Sequence, residues 1–151
     1  MYSKSFNLEI KKKISSFKKK IVIDSDKSIS IRSFLISSIS QNISSIKNVL
    51  ESEDVFSTIE CLRKLGVKIK KSGKGNYLVY GKGLGSLHSK KNLELNFGNS
   101  GTLARLLIGI LATTPNIELK IKGDHSLNKR NMKKLIFLMS KFGATFLPRN
   151  R

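Results

Sequence analysis

Three short segments gather the residue types best suited to holding a multiply charged anion. The first is Asp26-Lys27-Ser28-Ile29-Ser30-Ile31-Arg32. In a helix, Ser28 and Arg32 share a face because they are four residues apart. A helix start presents free backbone N–H groups at the positive end of its dipole, where anions bind. Lys27 adds a compact charge just ahead, and the planar fork of Arg32 suits phosphate. A capped helix followed by an exposed arginine would read the same way. The second segment is Gly98-Asn99-Ser100-Gly101-Thr102-Leu103-Ala104-Arg105. Its glycines allow a tight turn and a close approach of a ligand to the backbone, with Arg105 one turn beyond Gly101. It matches neither the Walker pattern nor the dinucleotide fingerprint, and an ordinary capped helix is the competing reading. The third segment runs from Gly123-Asp124-His125-Ser126-Leu127 through Asn128-Lys129-Arg130-Asn131-Met132. Lys129, Arg130, Lys133 and Lys134 cluster at an expected helix start, where positive charge opposes the dipole. An anion bound there would offset the cost; a solvated basic face is the alternative.

Other reactive residues are isolated. His88 and His125 lie in no Ser or Cys nucleophile pattern and read as surface or loop histidines. Cys61, the single cysteine, falls within a helix stripe and reads as packing. It can form no internal disulfide, and no Cys/His cluster points to a metal.

The elements that position these segments follow from hydrophobic spacing. Ile21-Val22-Ile23 is a β-branched run and a strand candidate. Ile31, Phe34, Leu35 and Ile39 predict a helix over residues 28–39, and residues 43–49 a second strand. Ser52 can cap a helix with Glu53 and Asp54 in its first turn and an apolar stripe of Val55, Ile59 and Leu62, stopped by Gly66. Two strands are expected at residues 67–69 and 77–80, around a turn at residues 72–76. The order is βαβαββ, and it begins again: a strand at 93–95, a helix at 100–112, a strand at 117–121, and a helix at 132–142. That last helix places Met132, Leu135, Ile136 and Met139 on one face, then Gly143 stops it and Ala144-Thr145-Phe146 opens another strand. Lys64-Leu65-Gly66-Val67 and Lys141-Phe142-Gly143-Ala144 show the same helix end, glycine stop and strand start. From Ile21 to Leu93 is 72 residues and from Gly66 to Gly143 is 77, the spacing of a duplicated supersecondary unit. Its second copy is expected to be incomplete, which reads as truncation.

Composition sets the class. A chain of 151 residues with 39% hydrophobic residues can bury a core and is too apolar to be disordered. The longest apolar runs are far too short to cross a bilayer. The lysine-rich start, at Lys11 to Lys13 and Lys18 to Lys20, lacks the apolar stretch of a secretory signal, so a cytoplasmic protein is expected. With 29 Lys and Arg against 10 Asp and Glu, the net charge of +19 calls for anionic partners. A small basic nucleic-acid-binding module would fit that charge. Aromatic residues are only 7% with no Trp, and no stacking motif is present, so nucleic acid is the weaker reading.

In order and spacing, the three segments resemble those of the 5-enolpyruvylshikimate-3-phosphate (EPSP) synthases, 3-phosphoshikimate 1-carboxyvinyltransferases. The sharpest parts are Asp26-Lys27-Ser28-x-Ser30-x-Arg32, Gly98-Asn99-Ser100-Gly101-Thr102-x-x-Arg105 and Gly123-Asp124-x-Ser126-Leu127-x-x-Arg130-x-Met132, with Glu53-Asp54 also fitting. UDP-N-acetylglucosamine enolpyruvyl transferases share the fold but typically carry Lys-Asn where this chain has Lys27-Ser28. The resemblance implies an α/β (α+β) fold of two domains, each of three βαβαββ units about a pseudo-threefold axis. About two of those six units are expected here. The division is a basic N-terminal segment at 1–20 and a partial first domain at 21–151, with unit one at about 21–82 and an incomplete unit two at about 92–151.

Roles are implied as well. Lys27, Ser28 and Arg32 match residues that bind shikimate 3-phosphate, with Lys27 also reaching phosphoenolpyruvate as a catalytic residue. Gly101 and Arg130 match phosphoenolpyruvate-binding positions, with Asn99 and Thr102 lining the same loop. The resemblance implies no metal or organic cofactor, and a complementary chain as a possible source of the absent domain. Three departures stand out: Asp24-Ser25 where the family has Pro-Gly, Ile31 for His or Asn, and Asn131 for Pro. If the resemblance holds, Lys27, Arg32 and Arg130 face one shared pocket.

Overall fold

A computed structural model describes residues 7–9, 11, 13, 16, 18 and 20–147 of the chain. Most of the lysine-rich segment at 1–20 therefore lies outside the described residues.

Helix α1, Lys27–Ile39, starts where Asp26 Oδ1 accepts the Ile29 N–H at 2.6 Å. That acceptor satisfies a backbone donor the first turn leaves free. It buries Ile31, Phe34 and Leu35. Strand β1, Ile43–Ile46, follows, and helix α2, Glu53–Lys64, then presents Val55, Ile59 and Leu62 to the same core. Gly66 takes a left-handed φ of +88°, which ends α2 and turns the chain into β2, Lys68–Gly73, and β3, Asn76–Tyr80. These strands form an antiparallel sheet in the order β1-β3-β2, with Ile46 opposite Tyr77 and Ile69 opposite Val79. Tyr77 and Val79 alternate inward, and the Tyr77 ring meets Phe34 edge-on at 5.2 Å.

Strand β4, Leu93–Asn96, begins the second run and leads to helix α3, Gly101–Ala112. Buried Ser100 caps α3 by accepting the Leu103 N–H at 3.2 Å. Leu103, Leu107 and Leu111 face inward. Strand β5, Leu119–Lys122, pairs with β4 in parallel, Leu95 opposite Ile121. A short helix α4, His125–Asn128, and helix α5, Lys133–Lys141, complete the described fold. It is a mixed α/β arrangement in which a helix–strand–helix order recurs, α1-β1-α2 and then α3-β5 followed by α4 and α5.

Three expected strands differ. Ile21-Val22-Ile23 forms no strand, and its side chains are 69%, 93% and 77% exposed. Among the described residues no neighbouring strand offers it hydrogen bonds, and β-branched propensity without a paired neighbour does not hold a strand. Ala144-Thr145-Phe146 likewise follows Gly143 unpaired. The strand expected at 43–49 stops at Ile46, because Asn48 turns to a φ of +58° and breaks the extended run.

Candidate functional site

The first residues of α1 and α3 meet. Ser28 Oγ and Thr102 Oγ1 lie 3.4 Å apart although 74 residues separate them in the chain. Both helices therefore direct their N-terminal ends, where the dipole is positive, toward one junction. Neither has an acidic residue in its first turn. Helix α2 differs, having Glu53 and Asp54 in its first turn.

Lys27 stands on one side of the junction. Its ammonium pairs with Asp54 Oδ2 at 2.8 Å; Asp54 is 16% exposed and Lys27 half exposed. The partly buried carboxylate, itself favoured by the α2 N-terminus, holds one end of a flexible side chain in place. Arg32 lies one turn along α1, with Nε donating to the Ser28 carbonyl at 3.2 Å, and keeps the rest of its fork exposed.

Arg130 stands on the other side. Its Nη2 donates to Asn99 Oδ1 at 2.7 Å, so the loop before α3 and the bend between α4 and α5 are tied together. A second tie is the Asp124 N–H to the Gly98 carbonyl at 2.9 Å. A Cβ on Gly101 would overlap the Arg130 guanidinium and crowd Arg105, so any side chain there would displace both forks. Arg105 Nη1 donates to the Gly101 carbonyl at 3.3 Å and serves the loop itself.

Among the expected residues, the structure thus joins Ser28 to Thr102, with Lys27 next to Ser28 but paired with Asp54, and Asn99 and Gly101 to Arg130. The two hollows described lie elsewhere. The hollow of about 220 Å³ is lined by Ser25, Asp26, Ile29 and the Ile46–Val49 stretch, and the one of about 350 Å³ by Ile136, Ser140 and residues 144–146. Lys27 and Arg32 belong to α1 and Arg130 to the bend after α4, and α1 and α3 touch at the Ser28–Thr102 contact. The basic cluster also divides. Lys129 ends α4 and Arg130 lies in the bend, while Lys133 and Lys134 open α5 behind Asn131, whose Oδ1 accepts the Lys133 N–H at 2.9 Å.

Cys61 is a packing residue. Burial pushes its thiol up to about 12, and Sγ contacts the Asn96 carbonyl at 3.4 Å. Among the described residues no three His, Cys, Asp or Glu gather to hold a metal ion, and no helix is long and apolar enough to cross a membrane. The Ser28–Thr102 contact was not anticipated, yet its spacing of 74 falls inside the repeat period and was a usable signal.

The sequence model for EPSP synthase (3-phosphoshikimate 1-carboxyvinyltransferase) matches residues 11–150. The chain belongs to the EPSP synthase family. A 3-phosphoshikimate 1-carboxyvinyltransferase of Desulforamulus reducens is 41% identical over 131 residues, covering 87% of this chain and 30% of that relative. Its counterpart in Bacillus cytotoxicus is 47% identical over 115 residues, covering 76% of this chain and 26% of the relative. Among solved structures, an EPSP synthase from Acinetobacter baumannii superposes with a TM-score of 0.73 at 32% identity, over 86% of this chain and 29% of that one. The chain therefore spans about 30% of the length of the EPSP synthases it matches.

Proposed function

We propose that this chain supplies the anion-gripping part of a 3-phosphoshikimate 1-carboxyvinyltransferase site, at the junction where α1 and α3 meet. In that reading Lys27, Ser28 and Arg32 hold shikimate 3-phosphate. Lys27, Asn99, Gly101, Thr102 and Arg130 hold phosphoenolpyruvate, so Lys27 touches both and is the catalytic residue of the set. The observation that carries it is the Ser28–Thr102 contact, with Lys27 on one flank and Arg130 on the other. Two repelling anions must be brought together, and fixed positive charge with free helix N–H groups supplies that.

In the reaction the 5-hydroxyl of shikimate 3-phosphate adds to C2 of phosphoenolpyruvate while C3 gains a proton, and phosphate then leaves the tetrahedral intermediate. General acid–base groups are required; a complementary chain carrying the rest of the relatives' length supplies them. The chain then forms part of the first domain, with units at about 21–82 and 92–151, and works in the cytoplasm.

The test is a titration of the isotope-labelled chain with each substrate separately, read by amide NMR. Shifts centred on Ser28, Arg32, Gly101 and Arg130 are expected, with binding weakened about tenfold by Lys27→Ala or Arg130→Ala, the ~1.4 kcal/mol of one charge-assisted contact. Shifts spread over the surface lysines, insensitive to both substitutions, would refute the reading. Phosphate release is expected only when a polypeptide corresponding to the unmatched remainder of a relative is added.

A further inference from the structure

Two residues of the motifs have no ligand to hold in the proposed site: Ser30 of the first segment, and Asp54 of the Glu53-Asp54 pair. Both bear on where the Lys27 side chain stands. Ser30 is 4% exposed, and its hydroxyl donates to the Asp26 carbonyl at 2.8 Å and accepts the Leu50 N–H at 3.0 Å. One buried hydroxyl thus ties the residue before Lys27 to the chain just ahead of α2. Asp54 is fixed from the other side. Val55 and Thr58 are fully buried, and the Asp54 carbonyl accepts from the Thr58 hydroxyl at 2.8 Å. With both backbones held, the Asp54 carboxylate meets the Lys27 ammonium at 2.8 Å.

Glu53 and Asp54 share the first turn of α2, where the helix dipole favours either acid. Glu53 is exposed, whereas the Asp54 side chain is largely covered. Burial costs a carboxylate part of its hydration, so a dipole role alone favours the exposed position. Charge does not account for Asp54 either, because a carboxylate beside an anion site repels each incoming anion. Ordering of Lys27 accounts for both. A lysine stem samples many rotamers, and a ligand that binds it free must arrest it. Held by Asp54, the ammonium is arrested beforehand.

We infer that Asp54 is a positioning residue of the anion site: it touches no ligand and acts on anion binding through Lys27 alone. Ser30 sets the spacing of the two backbones, and Asp54 fixes the end of the side chain between them. This role rests on the proposed binding of both substrates by Lys27. It separates the two acids of one helical turn, giving Asp54 a part in ligand binding and Glu53 none.

The decisive variant is Asp54→Glu, which keeps the charge, and so the repulsion, but displaces the carboxylate by one methylene. In the full chain its affinity for phosphoenolpyruvate and for shikimate 3-phosphate should each fall about fivefold. In a Lys27→Ala background the same change should alter binding less than about twofold. Glu53→Gln, which removes a charge from the same turn, should bind both ligands as the wild type does. A readout without ligand accompanies these: the two Cε protons of a held lysine are inequivalent in the NMR spectrum and merge when the stem rotates freely. Those of Lys27 should be resolved in the wild type and merged in Asp54→Asn, which decides the matter should Asp54→Glu misfold. Unchanged affinity in Asp54→Glu, an equal loss with and without Lys27, or resolved Cε protons in Asp54→Asn would overturn the inference and leave the proposed function standing. Wild-type affinity in Lys27→Ala would overturn the proposed function, and the role of Asp54 with it.

Discussion

Helices α2 and α5 show that an apolar stripe does not bury itself. Both have leucine-class residues at helical spacing, both end on a left-handed glycine, and both are followed by an apolar strand-like segment. Leu62 is fully buried and its counterpart Met139 is only partly so. The difference lies in the cover: α2 has the β1-β3-β2 sheet over it, while among the described residues α5 packs on α3 and no sheet lies over it. Helical periodicity fixes which face is apolar, and topology decides whether that face leaves water.

Truncating each stripe gives the largest contrast. Leu62→Ala should cost about 2–5 kcal/mol, the range for a fully buried leucine that leaves a cavity. Met139→Ala should cost below about 1 kcal/mol, because water already reaches the site. Urea denaturation of both variants checks this, and equal costs would mean α5 is covered in solution. The two glycine stops come next. Gly143→Ala meets no atom within 4 Å and carries only left-handed strain, about 1 kcal/mol. At Gly66 the added Cβ overlaps the ring of exposed His88, so Gly66→Ala should cost up to about 1 kcal/mol more, for moving that ring off its rotamer.

How much of this was legible before the structure follows the same division. Helices α1, α2, α3 and α5 could be read because their stripes and glycine stops are local signals. Asp26 as the cap of α1 and the short α4 were missed, since a single Asx residue before a polar stretch signals either a turn or a helix start. The strands at Ile21–Ile23 and Ala144–Phe146 were read from propensity, but a strand exists only with a partner, and pairing is not local. For the site, residue types and order were legible. Contacts such as Lys27–Asp54 and Arg130–Asn99 depend on how separate elements meet, and no spacing rule states that.

The starts of α1 and α3 differ most at their first residue, and changing that residue in α3 is a sharper test of the junction. Lys27 opens α1 with a long cation; Gly101 opens α3 with none, and the Arg130 guanidinium fills the space. Gly101→Ala is expected to push Arg130 off Asn99 and weaken phosphoenolpyruvate binding about tenfold, the ~1.4 kcal/mol of one lost charged contact. Binding of shikimate 3-phosphate, assigned to the α1 side, should change less than threefold. Calorimetry with each ligand separates the two, and equal losses would place both ligands on α3.

The smallest effect at neutral pH concerns how the chain holds the stretch between β1 and α2 and the matching stretch between β5 and α5. The second unit uses an apolar plug, Leu127 of α4. The first uses a carboxylate: Glu51 accepts from Lys71 Nζ at 2.8 Å, from the Tyr77 hydroxyl at 2.7 Å and from the Gly75 N–H at 3.1 Å. The bond from Lys71, then those from Tyr77 and Gly75, hold its pKa down at about 2 from an ordinary 4.5. A carboxyl whose folded pKa lies below its unfolded one stabilises above the unfolded value and loses that contribution as pH falls through the folded one. The window is therefore pH 4.5 down to about 2. Across it the wild-type chain should lose thermal stability more steeply than Glu51→Gln, which cannot titrate. Leu127→Met, altering the plug of the second unit, should follow the wild-type pH slope. Parallel slopes for wild type and Glu51→Gln would show that the carboxylate clamp does not hold in solution, leaving the hairpin of the first unit secured by Tyr77 and Val79 alone.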